Sequence, residues 1–447
     1  MKLTIREICK LFDKSISPEL IENLDIPVNN FQIDSRIIQK NDVFVAFKGE
    51  QVNGHDYIED AFKNGACLAI ATQSKQNYPI IKVSDSTKAL GLIASTYLKK
   101  LSPISIGITG TNGKSTVTSL TYSILNKYNI TQKTYKNFNN QIGLPLSILS
   151  SHPSAKFFVL EMGASKSGDI RELSSIVRPN IVALLNVSAA HLESFGSIDN
   201  IFQTKEEILE DLGYEKTVIL NKDDRNFSKW EKKSQRHKVI TISKKMYADY
   251  QMIGQDPDNI LIKTPRHGNI KIPTKYREDY MLTNILFAIA CASEAGVDKN
   301  AIKFGIKDCK LPAGRFSINE GINGSSIIDS TYNANPNSFK AAIDSISLMD
   351  GQNWLIMGEM GELSINSKNY HIEVVKYAIS KNIKKIFIIG KDADEIKSSV
   401  NTDIYVFESK EDLTEYIKPM LNSEINVLIK ASRFMKFESI VESLTNV

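Results

Sequence analysis

Residues 104–116 read Ile104-Ser105-Ile106-Gly107-Ile108-Thr109-Gly110-Thr111-Asn112-Gly113-Lys114-Ser115-Thr116. The apolar run to Thr109 predicts a buried strand, the glycine-bearing segment a turn, and Ser115 to Lys127 a helix. In that setting small residues let backbone N–H groups curl around a phosphate. The helix N-terminus adds its partial positive charge, and Lys114 a full one. The Ser115 hydroxyl follows the lysine, the position that holds Mg²⁺ in phosphate loops. The longer GxxxxGK spacing is absent, because Ile108 stands where its first glycine would be. On residue types alone the alternative is a glycine turn with an exposed lysine.

Outward from this unit, strands fit residues 43–47, 66–71, 157–161, 181–187 and 218–221, and helices 57–64 and 280–295. After Leu311-Pro312-Ala313-Gly314-Arg315 the pattern restarts, with strands at 327–329, 354–357, 385–389 and 427–430 and helical segments between. Strands alternating with helices predict mostly parallel sheets covered on both faces. The expected fold is α/β in three domains, near 1–84, 85–312 and 313–447. The first is mixed α/β, the second a phosphate-loop sheet, and the third a smaller, doubly wound, Rossmann-like unit.

Composition narrows the class. The chain has 447 residues, 55 Lys+Arg and 51 Asp+Glu, for a formal charge of +4. Such balance argues against a dedicated nucleic-acid or membrane surface. Hydrophobic residues are 42% and charged residues 24%, which fits a folded globular protein. No run approaches the ~20 apolar residues of a membrane-spanning helix. Arg6, Glu7 and Lys10 interrupt the N-terminal segment where a secretion signal needs apolar residues. The four cysteines, Cys9, Cys67, Cys291 and Cys309, form no CxxC pair, which fits reduced thiols in a cytoplasm.

Glu161 ends the apolar strand at 157–161, where ligands of open α/β sheets bind. A metal carboxylate and an ordinary strand-end carboxylate are equally compatible with that position taken alone.

Several further segments carry a resemblance. They are Asp34-Ser35-Arg36 with Val43 to Gly49 and Asn53-Gly54-His55-Asp56, and Asn137-Phe138-Asn139-Asn140-Gln141-Ile142-Gly143-Leu144-Pro145. Then come Ala190-His191-Leu192-Glu193-Ser194-Phe195-Gly196-Ser197 with Lys205, and Asp329-Ser330-Thr331-Tyr332-Asn333-Ala334-Asn335-Pro336. Gly358-Glu359-Met360-Gly361-Glu362-Leu363 and Lys430-Ala431-Ser432-Arg433 complete the series. With the phosphate loop, these motifs resemble the Mur ligases of peptidoglycan synthesis, in the expected order and over nearly the whole chain. The 137–145 segment is similar to that of the branch acting on UDP-muramoyl-tripeptide.

The resemblance implies a reaction: ATP, UDP-muramoyl-tripeptide and D-Ala-D-Ala give UDP-muramoyl-pentapeptide, ADP and phosphate. It implies Mg²⁺ as cofactor, a cytoplasmic setting, small-molecule partners, no nucleic acid and no membrane insertion. Oligomeric state has no readable pattern, and a monomer is the default. For the nucleotide it implies Thr109, Gly110, Thr111, Asn112, Gly113, Lys114, Ser115 and Thr116. Asn284 is expected at the adenine, and Arg315 with Asp329 at the phosphates. For the metal it implies Ser115, Glu161, His191 and Lys205, the last as a carbamate. The catalytic candidates are Lys114, His191, Lys205 and Arg315. UDP-substrate candidates are Asp34, Ser35, Arg36, Asn139 and Asn140.

By residue type alone, His191 fits an ordinary loop histidine. Lys205 fits a solvated lysine beside Glu206, Glu207 and Glu210, and Asn284 an exposed helix asparagine. Arg315 fits a hinge cation, Asp34-Ser35-Arg36 a strand-end turn, and the asparagines a polar loop.

Two motifs depart from the family pattern. Glu359 follows Gly358 where aspartate is usual, and Ala431 replaces a glycine, which would strain a backbone needing positive φ.

One rival is a sister ligase adding lysine or diaminopimelate to the UDP-muramoyl dipeptide. Its Asp-Asn-Pro-Arg motif is absent from this chain. Another is folylpolyglutamate synthetase, which would not bring the 137–145 segment. A rival from a different class is a nucleotide-gated binding protein that forms no bond.

Overall fold

The computed structural model describes residues 2–13, 24–49, 51–189, 192–210, 212–274, 276, 278–363, 366–400 and 404–445. His191 therefore lies outside the described residues.

Three sheets organise the chain. The first orders the strands Phe31–Gln32, Asp42–Val45, Ala66–Ala71 and Ile80–Lys82, all parallel. The second has nine strands. Seven run parallel, in the order Tyr250–Asp256, Lys238–Ser243, Thr217–Asn221, Ile181–Leu184, Ile104–Thr109, Phe157–Glu161 and Thr131–Lys133. An antiparallel extension, Asn259–Thr264 then Gly268–Pro273, adds to the Tyr250–Asp256 edge. The third sheet orders Ser317–Glu320, Ser326–Asp329, Ile425–Lys430, Gln352–Met357, Lys385–Ile389 and Ile404–Phe407, parallel except at its first pair.

The strand–turn–helix reading at the phosphate loop holds, with the strand at Ile104–Thr109 and the helix at Lys114–Asn126. The strand expected over 181–187 stops at Leu184, because the chain then leaves the sheet to pack beside the loop. The antiparallel extension was not foreseen. Its sequence mixes polar and apolar residues, and only one of its faces is buried.

Strands buried on both faces read as unbroken apolar runs. Alternate side chains of the central sheet feed two cores. Ile106, Ile108, Val159 and Ala183 face the helices Lys114–Asn126 and Asp279–Glu294. Phe158, Leu160, Val182 and Leu184 face the helices Ser86–Leu101 and Asp169–Val177. That second core continues into Val43, Val45, Leu68 and Ile70 of the first sheet. All four cysteines are free. Among the described residues no helix is long and apolar enough to cross a membrane.

The site is positioned by chain reversals. Ile104–Thr109 lies between Phe157–Glu161 and Ile181–Leu184, so connections leave it in both directions. Such a switch point opens a crevice beyond the strands' carboxyl ends. Ile108 pairs with Glu161 and Thr109 with Leu184, which brings residues 110–116 between Glu161 and Asn186. In the third sheet Asp329 pairs with Ile429 and Met357 with Lys430, so the loops that follow open at one end.

The helix Lys299–Lys307 packs closely on the phosphate-loop helix. A Cβ at Gly305 would lie 2.3 Å from Ile124 Cα, and Ser123 Oγ donates to Gly305 O at 2.7 Å. Gly305→Ala is expected to destabilise the central unit by about 1–3 kcal/mol through overpacking. Denaturant unfolding monitored in that unit measures it, and an unchanged midpoint refutes the close packing.

Candidate active site

A cavity of about 2030 Å³ lies between the central and third sheets. It is lined by Gly110 to Thr116, by Asn137, Asn139, Asn140, Glu161, Lys205 and Asn284, and by Arg315, Tyr332, Asn335 and Lys430 from beyond residue 313.

Gly110 and Gly113 adopt positive φ, at 152° and 86°. A Cβ at Gly113 would sit 2.5 Å from Asn284 Oδ1, so the buried asparagine rests directly on the loop. Lys114 folds back, donating to Gly110 O at 2.9 Å and Thr111 O at 3.0 Å. Burial lowers its pKa; Glu161 opposes that and Arg315 reinforces it.

Ser115 Oγ donates to Glu161 Oε2 at 2.6 Å and accepts from Arg315 Nη2 at 2.8 Å. The other carboxylate oxygen of Glu161 accepts from Asn139 Nδ2 at 2.7 Å. The Arg315 guanidinium lies 4.0 Å from the centre of the Tyr332 ring, and its buried Nε has no hydrogen-bond partner. Gly314, at φ 74°, turns the chain into this arginine; its N–H donates to Asp329 and its carbonyl accepts from Tyr332.

Lys205, on the helix Ile198–Glu206, is buried although three glutamates neighbour it in sequence. Burial pushes its ammonium down to about 7, and the Lys114 charge pushes the same way against Asp169, Glu207 and Glu161. A buried lysine with a lowered pKa presents a neutral amine, the form that reacts with CO₂.

Other expected residues sit differently. Thr109 is buried outside the cavity lining and donates its hydroxyl to Met162 O at 2.9 Å. Asp329 also lies behind the lining, accepting from Gly314 N, Thr331 N and Thr331 Oγ1. Asn139, expected at the UDP substrate, lines the cavity and donates to Glu161. Asn140 Oδ1 accepts from Ile142 N and Gly143 N, beginning the helix Gly143–Leu149.

Asp34, Ser35 and Arg36 form a short helical turn away from the cavity. Asp34 accepts from Arg36 N, Nε and Nη2, and the guanidinium holds its carboxyl down at about 2. Ala431 is not among the residues with positive φ, so it carries no glycine-specific strain. It packs into the space left by Gly358, where a Cβ would lie 2.6 Å away. Glu359 accepts from Lys391 N at 3.0 Å.

The donor chemistry fits Mg²⁺. A hydroxyl and a carboxylate meet at hydrogen-bond distance beside the phosphate loop, and hard oxygen donors suit that ion. Among the described residues no group of three His, Cys, Asp or Glu side chains is placed to hold a metal.

Comparison with known proteins agrees with this geometry. Residues 27–98 match the Mur ligase family catalytic domain, 108–292 the Mur ligase middle domain, and 314–433 the Mur ligase glutamate ligase domain. Over 430 residues the chain is 34% identical to UDP-N-acetylmuramoyl-tripeptide–D-alanyl-D-alanine ligase of Buchnera aphidicola from Acyrthosiphon pisum, covering 94% of each. The chain belongs to the Mur ligase family.

The Haemophilus influenzae protein of the same name is 30% identical over 441 residues, covering 96% of each chain. The fold matches a crystal structure of MurF from Acinetobacter baumannii with a TM-score of 0.91, at 24% identity and 99% coverage of both chains. MurF ligase from Thermotoga maritima in complex with ADP matches at 0.84, with 28% identity, covering 93% of this chain and 97% of that one.

Sequence reasoning left Lys430 without a role in this Mur ligase site. It is buried, donating to Ser330 Oγ at 3.1 Å, Ser330 O at 3.3 Å and Asn333 O at 2.8 Å. A lysine ending a buried strand was the available signal.

Burial, reinforced by Arg315 and opposed by Asp329, pushes Lys430 down to about 7. Unfolded lysines titrate near about 10.4, so between those values the unfolded chain binds more protons. This contribution makes stability rise with pH from about 7 to about 10. Lys430→Met is expected to flatten that rise in unfolding free energy. Equal slopes in both proteins would show that Lys430 keeps its proton when folded.

Proposed function

We propose that this Mur ligase joins D-Ala-D-Ala to UDP-N-acetylmuramoyl-tripeptide at the expense of ATP, forming the UDP-muramoyl-pentapeptide of peptidoglycan synthesis. One observation carries the reading. In a chain matching tripeptide–D-alanyl-D-alanine ligases over almost its full length, Lys114, the Ser115–Glu161 pair, Lys205 and Arg315 converge on one cavity.

The chemistry sets the requirement. A carboxylate is a poor acceptor for an amine, so its oxygen first takes the γ-phosphoryl group of ATP, releasing ADP. The D-Ala-D-Ala amine then attacks the acyl phosphate, and phosphate leaves through a tetrahedral intermediate. Bringing carboxylate and triphosphate together opposes two charges: at about 4 Å and an effective dielectric of about 20 the repulsion is about 4 kcal/mol per pair. Preplaced positive charge is usually the largest catalytic contribution in such a transfer.

Lys114 and Arg315 provide that charge from this chain. Ser115 and Glu161 would hold Mg²⁺, with His191, alongside Glu161, and carbamoylated Lys205 for a second ion; bound there, the metal would neutralise phosphate oxygens. Asn284 faces the adenine. Asp329 acts at the phosphates indirectly, by shaping the turn that carries Arg315. Asp34, Ser35 and Arg36 bind the UDP moiety. The division near 1–84, 85–312 and 313–447 separates these tasks, and we assign the enzyme to the cytoplasm as a monomer.

Phosphate release should be slow with ATP and UDP-muramoyl-tripeptide alone and rise strongly on adding D-Ala-D-Ala, with a product heavier by the dipeptide. Release driven by lysine or diaminopimelate with the dipeptide substrate would move the assignment to the sister ligase. Release indifferent to any amine would leave only a nucleotide-driven binding protein.

Lys205→Ala should lose most ligase activity, and formate should restore part of it by supplying the missing carboxylate. Full activity in the variant would remove Lys205 from the mechanism.

A further inference from the structure

We infer that Asn335 is a positioning residue that latches the third sheet's unit onto the phosphate loop, so that interdomain closure sets the loop's geometry. Asn335 Nδ2 donates to Asn112 Oδ1 at 2.8 Å, a bond between residues 223 positions apart. Both side chains are committed on their far sides as well. Asn335 Oδ1 accepts from Ser338 N at 2.9 Å and caps the helix Pro336–Ile346, with a reciprocal bond from Asn335 N to Ser338 Oγ. Asn112 Nδ2 donates to Ser188 Oγ at 3.1 Å.

The backbone of Asn112 is held too. Its N–H donates to Asn186 Oδ1 at 3.0 Å, and its carbonyl accepts from Asn186 Nδ2 at 3.0 Å. Asn186 follows the strand Ile181–Leu184, next to the strand that carries the loop. Three asparagines thus run in series from the central sheet, through the loop, to a helix of the third unit. An asparagine pair suits this task, because each amide donates and accepts at once without charge. A charged pair in the same place would perturb the phosphate loop.

The latch belongs to the segment that positions the arginine. Tyr332, three residues before Asn335, carries its ring against the Arg315 guanidinium, and Lys430 ties Ser330 and Asn333 of the same loop. Docking Asn335 on Asn112 therefore brings the loop and the arginine together in one movement. A backbone bond from Glu193 N, in the helical turn Leu192–Phe195, to Glu362 O, in the loop after Gln352–Met357, crosses the cleft elsewhere at 3.3 Å.

The test separates latch from helix cap. Serine caps helices about as well as asparagine but is too short to reach Asn112. Asn335→Ser should melt close to the parent, whereas Asn335→Ala should lose stability. Loss of the interdomain bond should lower kcat of Asn335→Ser roughly three- to tenfold, as expected for one hydrogen bond formed in the closed state. The KM for ATP should stay within about twofold, since nucleotide meets the central sheet first.

In a cycle with Asn112→Ala, the second substitution should add little to the first. Small-angle scattering with a non-hydrolysable ATP analogue should show a larger radius of gyration for Asn335→Ser. Parental kcat in Asn335→Ser, or simple additivity in the cycle, overturns the latch. The kinetic arms rest on the ligase reading, which fails separately if the parent shows no D-Ala-D-Ala-dependent turnover; the scattering arm does not depend on it.

Discussion

Lys205, Lys114, Arg315 and Lys430 gather four basic groups around one cleft, each disfavouring charge on its neighbour. Burial disfavours the charge on Lys114, Lys205 and Lys430, and neighbouring cations deepen the effect: Arg315 on Lys114, Lys114 on Lys205, and Arg315 on Lys430. Such a cluster persists only where the surrounding fold holds it and where acceptors compensate. Glu161 lies at one end and Asp329 at the other, while backbone carbonyls of Gly110, Thr111, Ser330 and Asn333 accept hydrogen bonds from Lys114 and Lys430. The protein thereby keeps in reserve the attraction that several phosphates and a carboxylate need when they are brought together.

Two switch points make this possible. In the central and third sheets strands are neighbours out of chain order, and the loops beyond their carboxyl ends are free to gather polar groups. The central sheet contributes the phosphate loop, Glu161 and Asn186; the third contributes Tyr332, Asn335 and Lys430. Facing these ends across a cavity lets Arg315 reach Ser115, two hundred residues earlier. Neither sheet alone carries the full set, so the lining is complete only where the two sheets face each other.

Asparagine does much of the fine placement. Asn139 holds Glu161, Asn284 supports Gly113, Asn140 begins a helix, and Asn112, Asn186 and Asn335 link the two halves. Uncharged donor–acceptor groups suit a crowded cationic cleft, since they fix geometry without altering its potential. The Asp34–Arg36 ion pair lies outside the cavity lining.

The phosphate loop, its flanking strand and helix, and the alternation of strands and helices were readable in the chain, because those features are local. Glycines at 110 and 113 must permit positive φ, and an apolar run ending in Glu161 must be a buried strand with a carboxylate at its tip. Long-range partnership was not readable. Nothing local distinguishes Lys205 from a solvated lysine; its low pKa arises from packing against distant elements. Asn139 and Asn140 sit side by side in the sequence, yet one turns to a strand end and the other accepts from Ile142 N and Gly143 N. The side chains of Asp329 and Thr109 bond to neighbouring chain segments behind the lining rather than facing the cavity. Short-range sterics and hydrophobic period specify the elements, while the cleft's electrostatics depend on which strand ends meet across it, a matter settled by how the sheets pack.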